Sequence, residues 1–146
     1  MGPLQWRFEA FYLYGAVEPA TGENFFLEFS HLDSPCFQRF LECLAQHYPN
    51  QLHLLQLDNA SAHTSKSLQL PQNIILFFQP PHTPEVNPIE RFWRHLKDQL
   101  SWLSFAHLDA LREVISERLR ELTPAVVASL TGYDFILGAL KHANII

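Results

Sequence analysis

Two stretches of the chain, QLDNASAH at residues 56–63 and PPHTPEVNPIERFW at residues 80–93, decide the fold prediction. The first places Asp58 directly after an apolar segment that is predicted to be a strand, and the second places Glu90 in the first turn of an amphipathic helix. Ligands of open α/β sheets bind at the carboxyl ends of strands, where we expect Asp58. Two carboxylates that converge from rigid elements suit a divalent cation, so a metal site is one interpretation of this pair.

Each of these residues also has a simpler explanation. Asp58 and Asn59 are typical of a turn in which the aspartate hydrogen-bonds its own backbone. Asn87 with Glu90 three residues later matches a capping box, in which the glutamate reaches back to the amide of the capping residue. His63 is either a solvent-facing side chain at a helix start or a functional group, which would support a metal site, contact a phosphate or act as a weak metal ligand. Position alone leaves these alternatives open.

Basic side chains recur every three residues along the same helix, at Arg91, Arg94 and Lys97. They could contact DNA phosphates, or they could form a solvated helix face. The formal net charge of −5 argues against nucleic-acid binding through bulk charge, although it permits a local basic stripe. The chain has no glycine-rich phosphate loop, and its histidines and cysteines lack zinc-like spacing, so the sequence predicts no zinc site.

Composition indicates one globular domain. The chain has 146 residues, of which 47% are hydrophobic and 17% charged, a balance typical of a packed protein and not of a disordered one. No apolar run approaches the roughly 20 residues of a membrane span, and no signal peptide is recognisable, so we expect a soluble, cytoplasmic protein with no membrane partner. Cys36 and Cys43 lie seven residues apart in a predicted helix, too far for a disulfide, and are expected to be buried thiols.

The pattern along the chain predicts an α/β fold. Strands are expected at residues 8–17, 25–29, 52–57 and 74–78, the first being apolar on both faces and therefore central. Helices are expected from a Ser34 cap to about residue 48, around 61–70, from an Asn87 cap to about 103, over 107–121, and from Thr123 onward with a break near Gly132. The order predicts a sheet that begins with an antiparallel hairpin and is followed by a helical tail.

Taken together, these residues resemble the DDE superfamily of transposases and endonucleases, in the mariner-related insertion-sequence branch. Three blocks carry the resemblance: LDNASAH at 57–63, LPQNI at 70–74, and the block at 80–93, which continues through Leu96 and Lys97. Upstream, YGAVEP at 14–19 fits the hairpin of that family. The resemblance extends over residues 8–105, and the tail carries less of it.

The resemblance implies a ribonuclease-H-like mixed sheet flanked by helices, with a catalytic domain at residues 1–105 and a helical extension at 106–146 packed on it. It implies a carboxylate triad for two Mg²⁺ or Mn²⁺ ions, in which Asp58 is the second carboxylate and Glu90 the third. One ion would activate the attacking water or DNA 3′-hydroxyl, and the other would stabilise the leaving oxygen. The reaction would be DNA strand cleavage followed by strand transfer. The residues expected to support the site or contact DNA are Asn59, His63, Asn87, Arg91, Arg94 and Lys97.

The sequence departs from the family pattern before Asp58. The family's first catalytic aspartate lies on a strand that precedes the hairpin, and neither Asp33 nor any earlier glutamate matches it. We therefore expect a catalytic domain that lacks its first strand, with an unpaired edge beside the hairpin and weak or no activity alone. The expected partners are DNA, as transposon ends and target, together with a second copy or an upstream-encoded transposase part. The alternative function is a non-catalytic assembly or regulatory module that pairs with full-length transposase.

Overall fold

The computed structural model describes residues 4–8, 11–57, 67–78, 87–100 and 108–142, and these contain a mixed set of strands and helices. The strands are β1 (Leu4–Phe8), β2 (Phe11–Val17), β3 (Asn24–Phe29), β4 (His53–Leu57) and β5 (Ile74–Phe78). The helices are α1 (Ser34–His47), α2 (Ile89–Leu100), α3 (Leu108–Arg120), α4 (Pro124–Thr131) and α5 (Asp134–His142).

The described strands form two small sheets. β2 pairs antiparallel with both β1 and β3, whereas β4 and β5 pair parallel to each other. With helices around them, this mixed α/β arrangement is compatible with the ribonuclease-H-like fold expected from the sequence. None of the described helices is long and apolar enough to cross a membrane.

Most predicted elements are confirmed, and the differences have local causes. The single strand expected over 8–17 is two strands, and β1 supplies a partner on the side of β2 that was expected to be an unpaired edge. That expectation was wrong because it overlooked LQWRF, whose strict alternation of apolar and polar residues is typical of a half-buried strand. Of the short helix expected around 61–70, residues 67–70 are turn and coil, and the remainder lies outside the described residues.

The two faces of β2 belong to two different hydrophobic cores. Phe11, Leu13 and Val17 lie in one core, together with apolar side chains of α2, α3 and α4. Tyr14 and Ala16 lie in the other core, together with side chains of α1, β4 and β5. The alternation of strand side chains thus places α1 on one face of β2 and α2 with the tail on the opposite face. The predicted central position of β2 is confirmed.

The start of α1 differs from the prediction by one residue. Asp33, not Ser34, is the N-cap, and its Oδ1 accepts a hydrogen bond of 3.0 Å from the backbone N–H of Cys36. Ser34 and Pro35 are the first two helical residues, where the missing N–H of proline is tolerated. Cys36 and Cys43 are both free, as expected, and both are half-buried instead of fully buried.

Gly15 allows α2 to approach β2 closely. Gly15 faces Phe26 across the β2–β3 ladder, and a Cβ at Gly15 would overlap the Phe26 ring and lie 3.1 Å from the Trp93 indole. The Phe26 ring packs at a tilt against Phe92 and edge-on against Trp93, with centroid separations of 4.9 and 5.8 Å. The absent side chain of Gly15 therefore makes room for the aromatic contacts that seat α2 on the sheet.

Two further glycines bring the tail against the turn between β2 and β3. Gly22 has a φ of +80°, and a Cβ there would overlap the carbonyl of Pro124 at the start of α4. Gly132 ends α4, and a Cβ there would overlap the carbonyl oxygen of Pro19. The hairpin turn and the tail are therefore in direct backbone contact.

Gly15→Ala should lower the free energy of unfolding by about 1–3 kcal/mol, because a methyl group forces the Phe26 and Trp93 rings to shift within a packed core. Denaturant unfolding, with the folded fraction followed by circular dichroism, measures this change.

Gly138→Ala is the matched control. Gly138 lies inside α5, and no atom lies within 4 Å of the position that a Cβ would take there, so the same substitution should raise the free energy of unfolding by about 0.5–1 kcal/mol. Changes of the same sign in both variants would contradict the assigned packing role of Gly15.

Candidate metal and DNA site

The strand expected to lead into Asp58 is confirmed. β4 ends at Leu57, which is fully buried, and Leu57 pairs with Phe78 at the end of β5. The carboxyl ends of these parallel strands therefore lie at the same edge of their sheet. Asp58 follows Leu57 directly in the sequence, but Asp58, Asn59 and His63 all lie outside the described residues.

Glu90 lies in the first turn of α2 and is half-buried. Its neighbour Ile89 is fully buried, and Phe92 and Trp93 are buried one turn further along. These apolar contacts fix the rotation of the helix about its axis, so Glu90 lies at the margin of the buried face. The positive end of the helix dipole favours the ionised carboxylate there.

Asn87 is buried but does not cap the helix with its side chain. Only 1% of its surface is exposed, and neither its Oδ1 nor its Nδ2 has a hydrogen-bond partner in the described structure. Its backbone carbonyl instead accepts the N–H of Glu90 at 3.2 Å. The expected side-chain cap was therefore wrong, since the Oδ1 of Asn87 accepts no hydrogen bond from the helix amides. An unpaired buried amide costs about 1–3 kcal/mol, which calls for a compensating role.

The basic side chains of α2 are exposed, but they do not all belong to one face. At about 100° per residue, Glu90, Arg94 and Lys97 fall within an arc of about 60° on one side of the helix. Arg91 is turned by about 100° from Glu90, and its guanidinium carbon lies 3.8 Å from the centroid of the Tyr133 ring. Arg91 therefore makes a cation–π contact with the tail, whereas Arg94 and Lys97 line up below Glu90.

A second group of potential ligands was missed by the sequence analysis. His31, Asp33 and Cys36 bring their imidazole, carboxylate and thiol atoms within 4.8 Å of one another at the start of α1. The missed signal is the spacing His-x-Asp-x-x-Cys across a helix N-terminus, which differs from the paired-cysteine patterns of common zinc sites.

Comparison with known proteins identifies a family and a relative. The sequence pattern of the family described as DDE superfamily endonuclease matches residues 4–112, which include both sheets, α1 and α2. The uncharacterized protein y4pE/y4sA of Sinorhizobium fredii is 36% identical over 94 residues, which are 64% of this chain and 68% of that protein.

The family match includes both proposed carboxylates and the helix that carries Glu90. Enzymes of this superfamily generally use divalent metals and act on DNA. Since the match covers most of the chain, this protein belongs to the DDE superfamily endonuclease family.

Proposed function

We propose that the chain forms part of the catalytic domain of an insertion-sequence DNA transposase, which cleaves a DNA strand and transfers it with divalent metal ions. The observation that carries this proposal is the position of Glu90 at the start of α2, a helix held in place by a packed core. Both α2 and β4, the strand that leads directly to Asp58, lie within the region that matches the family. A protein of this kind acts where DNA is accessible, and the cytoplasmic location expected from the sequence is part of the proposal.

The proposed ligands suit Mg²⁺ or Mn²⁺. Asp58 and Glu90 offer hard carboxylate oxygens, and the buried, unpaired amide of Asn87 lies three residues before Glu90. When bound, the ions would supply Lewis acidity for activating the attacking oxygen and stabilising the leaving oxygen. Glu90 and Asp58 would hold them, and Asn87 would orient a neighbouring ligand. The first carboxylate of the triad would come from a segment outside these 146 residues, on the same or another polypeptide.

We also propose that residues 1–105 form the catalytic-domain part of the chain and 106–146 a helical extension packed on it. Ile115 of α3 and Val127 of α4 share a buried core with Leu13 of β2 and Trp93 of α2, which supports this packing. The cation–π contact between Arg91 and Tyr133 adds a polar link to the same extension.

Asp58→Asn and Glu90→Gln should weaken Mn²⁺ binding at least about tenfold, since each removes a charged ligand. The measurement is calorimetric titration with Mn²⁺, together with mapping of hydroxyl-radical backbone cleavage by Fe²⁺ bound in place of the natural ion. Cleavage in the purified chain should cluster around residues 58 and 90 and be lost in both variants.

Glu113→Gln, which removes an exposed glutamate of α3, is the matched control and should leave binding unchanged. Cleavage that persists near residue 90 in both site variants would contradict the proposed ligands. The chain alone should nick supercoiled DNA only weakly with Mg²⁺. Strong nicking that depends on Asp58 and Glu90 would show instead that the chain is competent without a further carboxylate.

Arg94 and Lys97 are the proposed DNA contacts, because they share the helix face of Glu90 and are exposed. A strand bound at the metals would pass along this face, where each cation neutralises one phosphate. Arg91 would contribute mainly to stability through Tyr133.

Arg94→Gln and Lys97→Gln should each weaken binding to short duplex DNA and reduce the slope of log affinity against log salt by about one. Arg91→Gln should instead lower the free energy of unfolding by about 0.5–1 kcal/mol, because the cation–π contact is lost at an exposed site. Fluorescence anisotropy at several salt concentrations and denaturant unfolding separate the two effects. A larger affinity loss for Arg91→Gln than for Arg94→Gln would reverse the assignment.

A second candidate function is the non-catalytic assembly module that pairs with full-length transposase. The observation that favours it is the sheet of β4 and β5, which has only two strands among the described residues and exposes Ile75, Phe77 and Phe78. The side chains of α1 pack against one face of this sheet, whereas Ile75 and Phe77 of β5 are exposed, so a strand or surface of another chain could cover them.

Under this second function, the chain should co-purify with a full-length transposase of the family and inhibit its DNA cleavage when titrated against it. Ile75→Lys, on the exposed face of β5, should weaken both effects, and Gly138→Ala, in α5, serves as the control. A monomer that has no effect on the full-length enzyme would exclude this function.

A further inference from the structure

Three side chains of different chemistry meet where β3 is followed by α1. The ligand atoms of His31, Asp33 and Cys36 lie within 4.8 Å of one another. His31 is exposed, and the other two are half-buried. None of the three belongs to the proposed catalytic set of Asp58 and Glu90.

The backbone around this cluster is held at several points. The hydroxyl of Tyr14, a residue only 2% exposed, donates a hydrogen bond of 3.0 Å to the backbone carbonyl of His31. The Tyr14 ring packs edge-on against Phe29 at a centroid distance of 4.9 Å. Asp33 is fixed by its N-cap hydrogen bond to the Cys36 amide. The three side chains therefore project from a segment anchored in the core, not from a loose loop.

Each side chain has an atom whose lone pair can bind a cation. Asp33 engages Oδ1 in the N-cap, which leaves Oδ2 as a ligand, and the N-cap hydrogen bond lowers the pKa of its carboxyl group. The Nδ1 of His31 lies 2.8 Å from the Ser30 hydroxyl; when Nδ1 donates to that oxygen, Nε2 keeps its lone pair. Burial, and then the hydrogen bond with Asp33, raise the pKa of the Cys36 thiol, so a cation must displace the thiol proton.

The three ligand atoms favour some cations over others. Nitrogen, oxygen and sulfur ligands together suit borderline cations such as Zn²⁺ and Co²⁺, whereas Mg²⁺ prefers oxygen alone. Tetrahedral zinc with bonds of about 2.0–2.3 Å holds its ligands about 3.3–3.7 Å apart, so side-chain rotations that shorten the present separations by about 1 Å would complete the site. The positive end of the α1 dipole disfavours a cation, but thiolate and carboxylate supply two negative charges beside it.

We propose that His31, Asp33 and Cys36 form a binding site for Zn²⁺ or a similar borderline divalent cation, with water as the fourth ligand. As the sulfur–metal bond forms, the thiol proton passes to solvent and the cation takes its place beside the carboxylate. The bound cation would join the segment between β3 and α1, at His31 and Asp33, to the first turn of α1, at Cys36. Because only the folded chain presents the three ligands together, binding stabilises the fold.

The experiment uses the whole chain without a histidine tag and with Co²⁺ as the probe. Wild type should show a sulfur-to-cobalt charge-transfer absorption that saturates at one Co²⁺ per chain at this site, and Zn²⁺ should displace that Co²⁺ while excess Mg²⁺ should not. The melting temperature should rise with Zn²⁺ in proportion to the logarithm of its concentration.

Cys36→Ser should abolish the charge-transfer band, and Asp33→Asn should weaken Co²⁺ affinity at least about tenfold while keeping a good N-cap residue. His31→Asn should weaken Co²⁺ affinity similarly. Cys43→Ser, which alters the other half-buried cysteine of α1, is the matched control and should bind like wild type.

Glu90→Gln should also leave Co²⁺ binding at Cys36 unchanged, so failure of this site and failure of the proposed transposase site are distinguishable. A charge-transfer band that survives Cys36→Ser, a band lost in Cys43→Ser, or no Co²⁺ binding at millimolar concentration would each overturn the proposal.

Discussion

The burial of β2 on both faces is the constraint on which the rest of the structure depends. One face holds α2 through Leu13 and the aromatic contacts at Gly15, and the other holds α1 and, through α1, the buried residues of β4. The first of these helices carries Glu90, and β4 leads directly to Asp58. The helix that carries Glu90 and the strand that leads to Asp58 therefore both depend on the packing of β2, and substitutions that disturb β2 would disturb both elements.

Helices and strands with regularly spaced apolar residues were predictable from the sequence, because burial of one face determines that spacing. α2 shows five buried apolar residues at helical spacing, and β4 and β5 are short apolar runs bounded by turn-forming residues, so all three were predicted within a few residues. β1 was not predicted, although LQWRF alternates apolar and polar residues and pairs with β2 through a local ladder from Phe8 and Phe11 to Leu4 and Gly15. The prediction instead continued the strand of β2 back to residue 8.

The candidate site was less predictable, because a cap, a turn and a metal ligand use the same residue types. Asp33 and Ser34 are both good N-caps, and only the extended backbone of Asp33 decides between them. Asn87 matches a capping pattern, but its buried side chain has no hydrogen-bond partner, and its backbone carbonyl accepts the N–H of Glu90 instead. The metal-ligand roles proposed for Asp58 and Glu90 rest on the surrounding sequence blocks that resemble the family, since position alone does not distinguish a ligand from a turn or cap residue.

The glycine contacts between the hairpin turn and the tail constrain how the length of this chain can change. Hairpin turns usually tolerate added residues, because their tips extend into solvent. Here the carbonyls of Pro124 and Pro19 occupy the space of side chains at Gly22 and Gly132. An insertion at residues 18–22 would separate the turn from the tail helices, so relatives that keep this arrangement should accommodate insertions and deletions elsewhere along the chain.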